Sequence, residues 1–359
     1  MATIESVAVE AYEIPTETPE SDGTLAWSST TWIVVELQAA GERGLGWTCC
    51  APAAADLVRR KLGPLLQGHG ALDIPGAHRA LLDAVRNVGR PGVAACAISA
   101  LDVALWDLKA RILGVPLSAL LGRARSSVPV YGSGGFTSYS ASKLERHMAA
   151  FVELGLSSAK MKVGRDASAD PERVGRVRAA VGSDVDLFVD ANGAYQRKQA
   201  LEMAARFSEF GVSWLEEPVS SDDLEGLRHL RDHASLRVAA GEYGYDSFYF
   251  LRMLEAGAVD VLMADATRCL GYTGFLEVAA LARAFHVPLS THCAPYLHVP
   301  VASAVPDLLH IEYFFDHARI EQKLLDGATV PMKGALTGDA SRPGHGFELR
   351  RADAQPYHC

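Results

Sequence analysis

Seven short segments of this chain end in polar side chains suited to chemistry on an organic acid: Lys160-Met161-Lys162, Asp190-Ala191-Asn192, Glu216-Glu217-Pro218, Gly241-Glu242, Asp265, His292 and Glu312. Asp190, Glu216 and Glu242 stand 26 residues apart in turn. If they end neighbouring strands, about 4.8 Å apart, three carboxylates repel strongly unless a cation sits between them. All-oxygen ligation suits a hard ion, Mg²⁺ first and Mn²⁺ as a substitute; solvated loop acids are the plainer alternative. Lys160 and Lys162 are two apart and face one way in a strand. Two ammonium groups lower each other's pKa, and partial burial adds to this. One is then neutral near pH 7 and acts as a base, while the other holds a substrate carboxylate.

His292 and Asp265 end adjacent segments, and an Asp beside a His fixes its tautomer and supports the imidazolium. Glu312, if protonated, would hydrogen-bond a developing enolate oxygen, or it orients another group. Asn192, Glu217, Ser133 and Arg268 are weaker candidates, for lining a site or for structure. Three carboxylates, a divalent ion, one protonated lysine and a monoanionic substrate leave one net negative charge, which a second protonated lysine cancels.

The elements that must position these residues follow from the hydrophobic pattern. From about Val128, short apolar runs alternate with amphipathic helical stretches, as in a parallel sheet with crossover helices. Eight strand candidates emerge: Val128–Tyr131, Ser158–Val163, Val185–Asp190, Val212–Leu215, Arg237–Ala240, Val259–Ala264, Val287–Ser290 and Leu308–Tyr313. Eight units favour a closed barrel, whose active site lies at the C-terminal ends of the strands. Every chemical residue above falls at such an end. Pro295, Pro300 and Pro306 are expected to interrupt the last helix.

The first third reads as α+β, with strands at Ile4–Ile14, Trp32–Leu37 and Leu45–Cys49 and helices at Ala53–Leu66, His78–Val85 and Gly92–Leu113. The polar stretch Thr16–Thr31 reads as a long loop. The expected division is 1–125 as an α+β domain, 126–320 as the barrel, and 321–359 as a tail packed back onto the first domain.

The bulk properties suit a soluble globular protein: 359 residues, 49% hydrophobic, 21% charged. A net charge of −9 argues against nucleic acid or an anionic membrane as partner. No apolar run approaches the ~18 residues of a membrane span, and the start shows no signal-peptide pattern. The six cysteines form no CxxC pair, so reduced thiols in a cytoplasmic protein are expected. A homo-oligomer acting on a small carboxylate is the expected assembly.

As a set, these residues resemble the enolase superfamily, in its mandelate racemase-like branch, over nearly the whole chain. The resemblance implies a modified TIM barrel, (β/α)₇β, wrapped by an α+β N-terminal capping domain. It casts Lys160 and Lys162 as the KxK pair, Asp190, Glu216 and Glu242 as metal ligands, Asp265 and His292 as the dyad, and Glu312 as the eighth-strand acid. Glu in Ala240-Gly241-Glu242 favours this branch over the muconate-cycloisomerising one. Capping loops would choose the substrate, here Thr16–Thr31 and the turn around Trp47–Ala51, with Trp27 over the site. One departure is Leu270-Gly271, where paired glycines are usual. The implied reaction is dehydration of a sugar acid to a 2-keto-3-deoxy acid, which suits the Ser/Thr-rich loop. Racemisation or epimerisation through the same enolate is the alternative, and a non-catalytic sugar-acid binding protein is the reading from another class.

Overall fold

The alternation that dominates the chain after Val128 folds into a ring of parallel strands. The computed structural model describes residues 2–359. The barrel strands are preceded by an antiparallel sheet of β1 (Ser6–Ser21), β2 (Ala26–Ala39) and β3 (Glu42–Cys49), in that order. The long helix Val93–Ile112 lies across this sheet. It approaches closely because Gly46 carries no side chain; a Cβ there would sit 2.1 Å from the Ala100 carbonyl oxygen.

Two expectations for this domain are corrected. The stretch Thr16–Thr31 is not a loop. β1 and β2 run on through it as a paired arm, with Glu20 opposite Trp27 and a register shift between Pro15 and Glu20. Its side chains are mostly exposed or half-buried, so it lacks the apolar alternation that marks a strand. Backbone pairing and the turn hold it instead: Asp22 Oδ1 accepts from the Thr24 and Leu25 amides at 2.6 and 2.7 Å. The expected helix Ala53–Leu66 contains a π turn at Val58–Leu62, just before Pro64, which has no amide hydrogen to donate back into the preceding turn.

The barrel strands are β4 (Val128–Gly134), β5 (Ser158–Lys162), β6 (Asp186–Asp190), β7 (Val212–Glu216), β8 (Arg237–Ala240), β9 (Val261–Ala264), β10 (Leu289–Thr291) and β11 (Ile311–Phe314). They pair in parallel in the order β10-β9-β8-β7-β6-β5-β4-β11. The ring closes through a bridge between Leu289 and Leu308, with the Leu309 amide donating to the Leu289 carbonyl at 2.8 Å. A helix follows each strand. The one after β10, Pro295–Ala304, persists through Pro300, contrary to the expected interruption. Nine of its ten residues are buried, and that packing outweighs one lost backbone bond. The helix after β11, Phe315–Leu324, leads into a segment that returns to the first domain. There His345 donates its amide to Asp107 at 2.7 Å, and Tyr12 bridges to His358.

Period two along the strands divides the barrel interior into a floor and a mouth. Tyr131, Phe188, Trp214, Ala239, Val261 and Met263 form a dry plug. Phe188 and Trp214 stack at 4.9 Å, and Tyr131 meets Phe188 edge-on at 5.4 Å. Two residues further along the same strands come Asp190 after Phe188, Glu216 after Trp214 and Asp265 after Met263.

Candidate active site

The chain leaves its strands under strain where the chemical residues sit. Among the described residues eight non-glycines have positive φ, and Asn192, Glu217, Leu270, Cys293 and Ala294 are five of them. Asn192 and Glu217 follow Asp190 and Glu216, and Cys293 and Ala294 follow His292. Leu270 (φ 73°) takes a left-handed conformation where a glycine would be at ease. Its amide and that of Gly271 are satisfied by Ser99 Oγ at 2.9 and 3.1 Å. Leu270 thus takes the left-handed turn that a glycine would take more easily. At Gly241 (φ 141°) a Cβ would meet the Met263 carbonyl oxygen at 2.0 Å, so only glycine lets the chain turn Glu242 inward.

Asp190, Glu216 and Glu242 each offer an oxygen within 4.8 Å of the others, and all three are buried. Trp214 Nε1 donates to Glu216 Oε2 at 3.1 Å, and the Asn192 amide donates to Asp190 Oδ1 at 2.9 Å. Glu242 Oε2 and Asn192 Oδ1 are buried without a hydrogen-bond partner. Three converging carboxylates, with an orphaned oxygen among them, fit a hard divalent cation.

Both lysines are drawn into this cluster. Lys160 Nζ lies 2.6 Å from Glu216 and 2.8 Å from Glu312, above the Tyr131 ring; Lys162 Nζ lies 2.5 Å from Asp190. Burial opposes their charge, but Glu216 and Glu312 around Lys160, and Asp190 beside Lys162, push both pKa values up. This corrects the expected mutual lowering: in this arrangement the carboxylates outweigh the repulsion between the two ammonium groups. A cation held by the triad would compete for those oxygens and return the lysines to the balance their sequence spacing suggested. For Glu312 the arrangement favours the second expected role, orienting another group. Burial alone would raise its carboxyl, but Lys160 holds it below the usual range, and it accepts from the Cys293 amide at 2.7 Å. It is an ionised partner of Lys160 rather than a protonated donor.

His292 Nδ1 meets Asp265 Oδ2 at 2.8 Å. Burial would raise the Asp265 carboxyl, yet the His292 bond and Arg268 hold it well below the usual range. An ionised Asp265 takes the Nδ1 hydrogen and leaves His292 Nε2 facing the mouth, 3.4 Å from Glu242 and 3.2 Å from Cys293 Sγ. Arg268 donates to the Glu242 carbonyl at 3.0 Å and lies 3.7 Å from the side chains of Glu242 and Asp265.

Lys162, Asn192, Glu242, Arg268 and His292 line a cavity of about 320 Å³ at the mouth. The β1–β2 arm roofs it with Asp22, Trp27, Ser29 and Thr30. Trp27 packs edge-on to Phe136 at 5.6 Å, and its Nε1 donates to Glu20 at 3.0 Å. Ser133 is brought beside Lys160 by strand register, but it is fully buried and does not line the cavity. Glu217 opens instead into a neighbouring cleft. Sequence reasoning missed Tyr243, Cys293 and His317 as lining residues, whereas Asp22 falls in the stretch Thr16–Thr31 expected over the site. Only Cys293, next to His292, carried a local signal.

Residues 6–122 match the model of the mandelate racemase / muconate lactonizing enzyme N-terminal domain, and residues 143–354 match the enolase C-terminal domain-like model. The chain belongs to the mandelate racemase / muconate lactonizing enzyme family of the enolase superfamily. Within this family it is similar to a mandelate racemase/muconate lactonizing enzyme-like protein from Rubrobacter xylanophilus, 49% identical with TM-score 0.97, over 99% of this chain and all of that one. A racemase from Streptomyces coelicolor A3(2) with bound magnesium is 31% identical with TM-score 0.94, over 99% of this chain and 100% of that one. L-talarate/galactarate dehydratase from Salmonella typhimurium is 31% identical over 87% of this chain and 81% of its own length. Further relatives are named as dehydratases of gluconate, arabinonate, galactonate and rhamnonate, and two as cycloisomerases of sugar-acid derivatives. No helix among the described residues is long and apolar enough to cross a membrane.

Proposed function

We propose that this protein is a Mg²⁺-dependent hydro-lyase that dehydrates a sugar acid, an aldonate or aldarate, to a 2-keto-3-deoxy acid. The observation that carries the reading is the placement of Lys162 and His292 on one cavity with the three carboxylates between them. The dehydratase names of several relatives and the magnesium in a similar structure support it.

Asp190, Glu216 and Glu242 would hold the ion. When bound, it supplies positive charge that competes with the lysines for carboxylate oxygens and offsets the charge gathering on the substrate carboxylate as the α-carbon loses its proton. Lys160, pinned by Glu312 over the aromatic floor, orients the substrate carboxylate. Lys162 Nζ takes the α-proton from one side. His292, as an imidazolium whose Nδ1–H is held by Asp265, gives its Nε2 proton to the departing 3-hydroxyl, which leaves as water. The remaining enol becomes the 2-keto-3-deoxy acid. The plug of Tyr131, Phe188 and Trp214 keeps bulk water from below. The alternative, racemisation or epimerisation, uses the same two groups on opposite faces of the α-carbon, and the racemase among the similar structures favours keeping it as the second reading.

Six free cysteines support a reducing, cytoplasmic setting, and a closed homo-oligomer is the assembly we propose. The functional test is formation of a keto acid from a panel of sugar acids. Activity should require Mg²⁺, vanish with chelator, return with Mg²⁺ or Mn²⁺, and be lost in Glu242→Gln. Mg²⁺ at about 100 times its Kd should stabilise the wild type by roughly 2.7 kcal/mol in thermal unfolding, and Glu242→Gln should lose that gain. Full activity after exhaustive chelation would overturn the metal assignment.

A further inference from the structure

The mouth cavity and a neighbouring cleft of about 610 Å³ share Asn192 and Tyr243. Away from the reacting end, acids line both: Asp22 the roof, and Asp222 and Asp246 the cleft. The cations of the mouth are already engaged: Lys162 on Asp190, and Arg268 between Glu242 and Asp265. His317 is neutral at pH 7, its pKa brought down to about 4 by burial. Arg252 remains, on an exposed position at the cleft's rim. The same region holds a buried acceptor that lacks a donor. Asn192 is 8% exposed with Oδ1 unpartnered.

We propose that the end of the substrate remote from its reacting carboxylate is a neutral polyhydroxy tail, so that the preferred substrates are monocarboxylic sugar acids and not dicarboxylic ones. This rests on the dehydratase reading and narrows its substrate class. A hydroxyl group can donate to the waiting oxygen of Asn192, whereas an ionised carboxylate has no hydrogen to give. A second carboxylate would also enter a partly desolvated space beside Asp22, where the mouth offers no unengaged cation.

The test compares kcat/KM of the Mg²⁺-loaded full chain for matched pairs of six-carbon acids that differ only in whether C6 is a hydroxymethyl or a carboxylate. The monoacid should be favoured by about tenfold or more at low ionic strength. High salt should narrow the ratio. Asp22→Asn, which keeps an acceptor for the Thr24 and Leu25 amides, should narrow it too. Equal or better turnover of the diacid overturns the proposal and leaves the dehydratase reading intact. So does a preference that neither salt nor Asp22→Asn moves, because charge would then not be its source. If no acid of either kind loses water, the dehydratase reading falls and this inference with it.

Discussion

At the scale of single residues, the site is a set of facing polar groups: Lys160 against Glu216 and Glu312, Lys162 against Asp190, and His292 hydrogen-bonded to Asp265. Asp265 holds His292 Nδ1 and does not line the cavity. Asp265→Asn should leave the fold intact by circular dichroism but lower kcat by about 10²–10⁴-fold, because the wrong tautomer then faces the mouth. An unchanged kcat and pH profile would show that His292 needs no such partner. The identities of these residues were legible in the sequence, because two-residue periodicity and strand ends decide which way each points. Their protonation was not. Whether Glu312 is ionised depends on Lys160 from another strand, 152 positions earlier in the chain. The lining by Tyr243 and His317 was also invisible, since neither belongs to a motif and only packing brings them to the mouth.

At the scale of elements, the β1–β2 arm makes a testable contribution through Glu20. This side chain is buried under the arm beside Trp27, and its pKa is raised from about 4.5 to about 8 by burial and then by Asp316. A carboxyl whose folded pKa is raised binds more protons folded than unfolded. Its penalty on stability is absent below pH 4.5, grows as the pH rises, and is complete above about 8. Glu20→Gln should therefore raise Tm at pH 8.5, by roughly 2–4 °C, and change it little at pH 4.5. Equal shifts at both pH values would contradict this. The arm itself was misread as a loop. Its Thr and Ser residues lie half-exposed, held by a backbone ladder that composition does not reveal. The eight barrel strands were found because their apolar runs are buried on both faces and bounded by helices, although several observed ends differ by two or three residues.

At the scale of the whole molecule, the capping domain and the returning tail are tied at one buried carboxylate. Asp107, in the helix Val93–Ile112, accepts from the Leu45 amide of β3 at 2.8 Å, from Arg111 at 2.7 Å and from the His345 amide of the tail at 2.7 Å. It is fully buried. Asp107→Ala leaves Arg111 and two amides without their acceptor and should cost about 3–5 kcal/mol in urea unfolding. A loss below about 1 kcal/mol would mean water replaces it. The barrel was legible from its repeating pattern. This junction was not, because it joins positions 45, 107 and 345, which no local pattern links.

The central claim is that this site removes the proton next to a carboxylate and then expels water. Proton NMR in D₂O, with Mg²⁺ and a panel of sugar acids, reads both events in one spectrum. The wild type should show loss of the α-proton signal together with new 3-deoxy signals for at least one acid, and Lys162→Ala and His292→Ala should not. Exchange of the α-proton without 3-deoxy product would contradict the dehydratase assignment in favour of the epimerase one. Absence of exchange with every acid, or exchange that survives both substitutions, would contradict proton abstraction at this site.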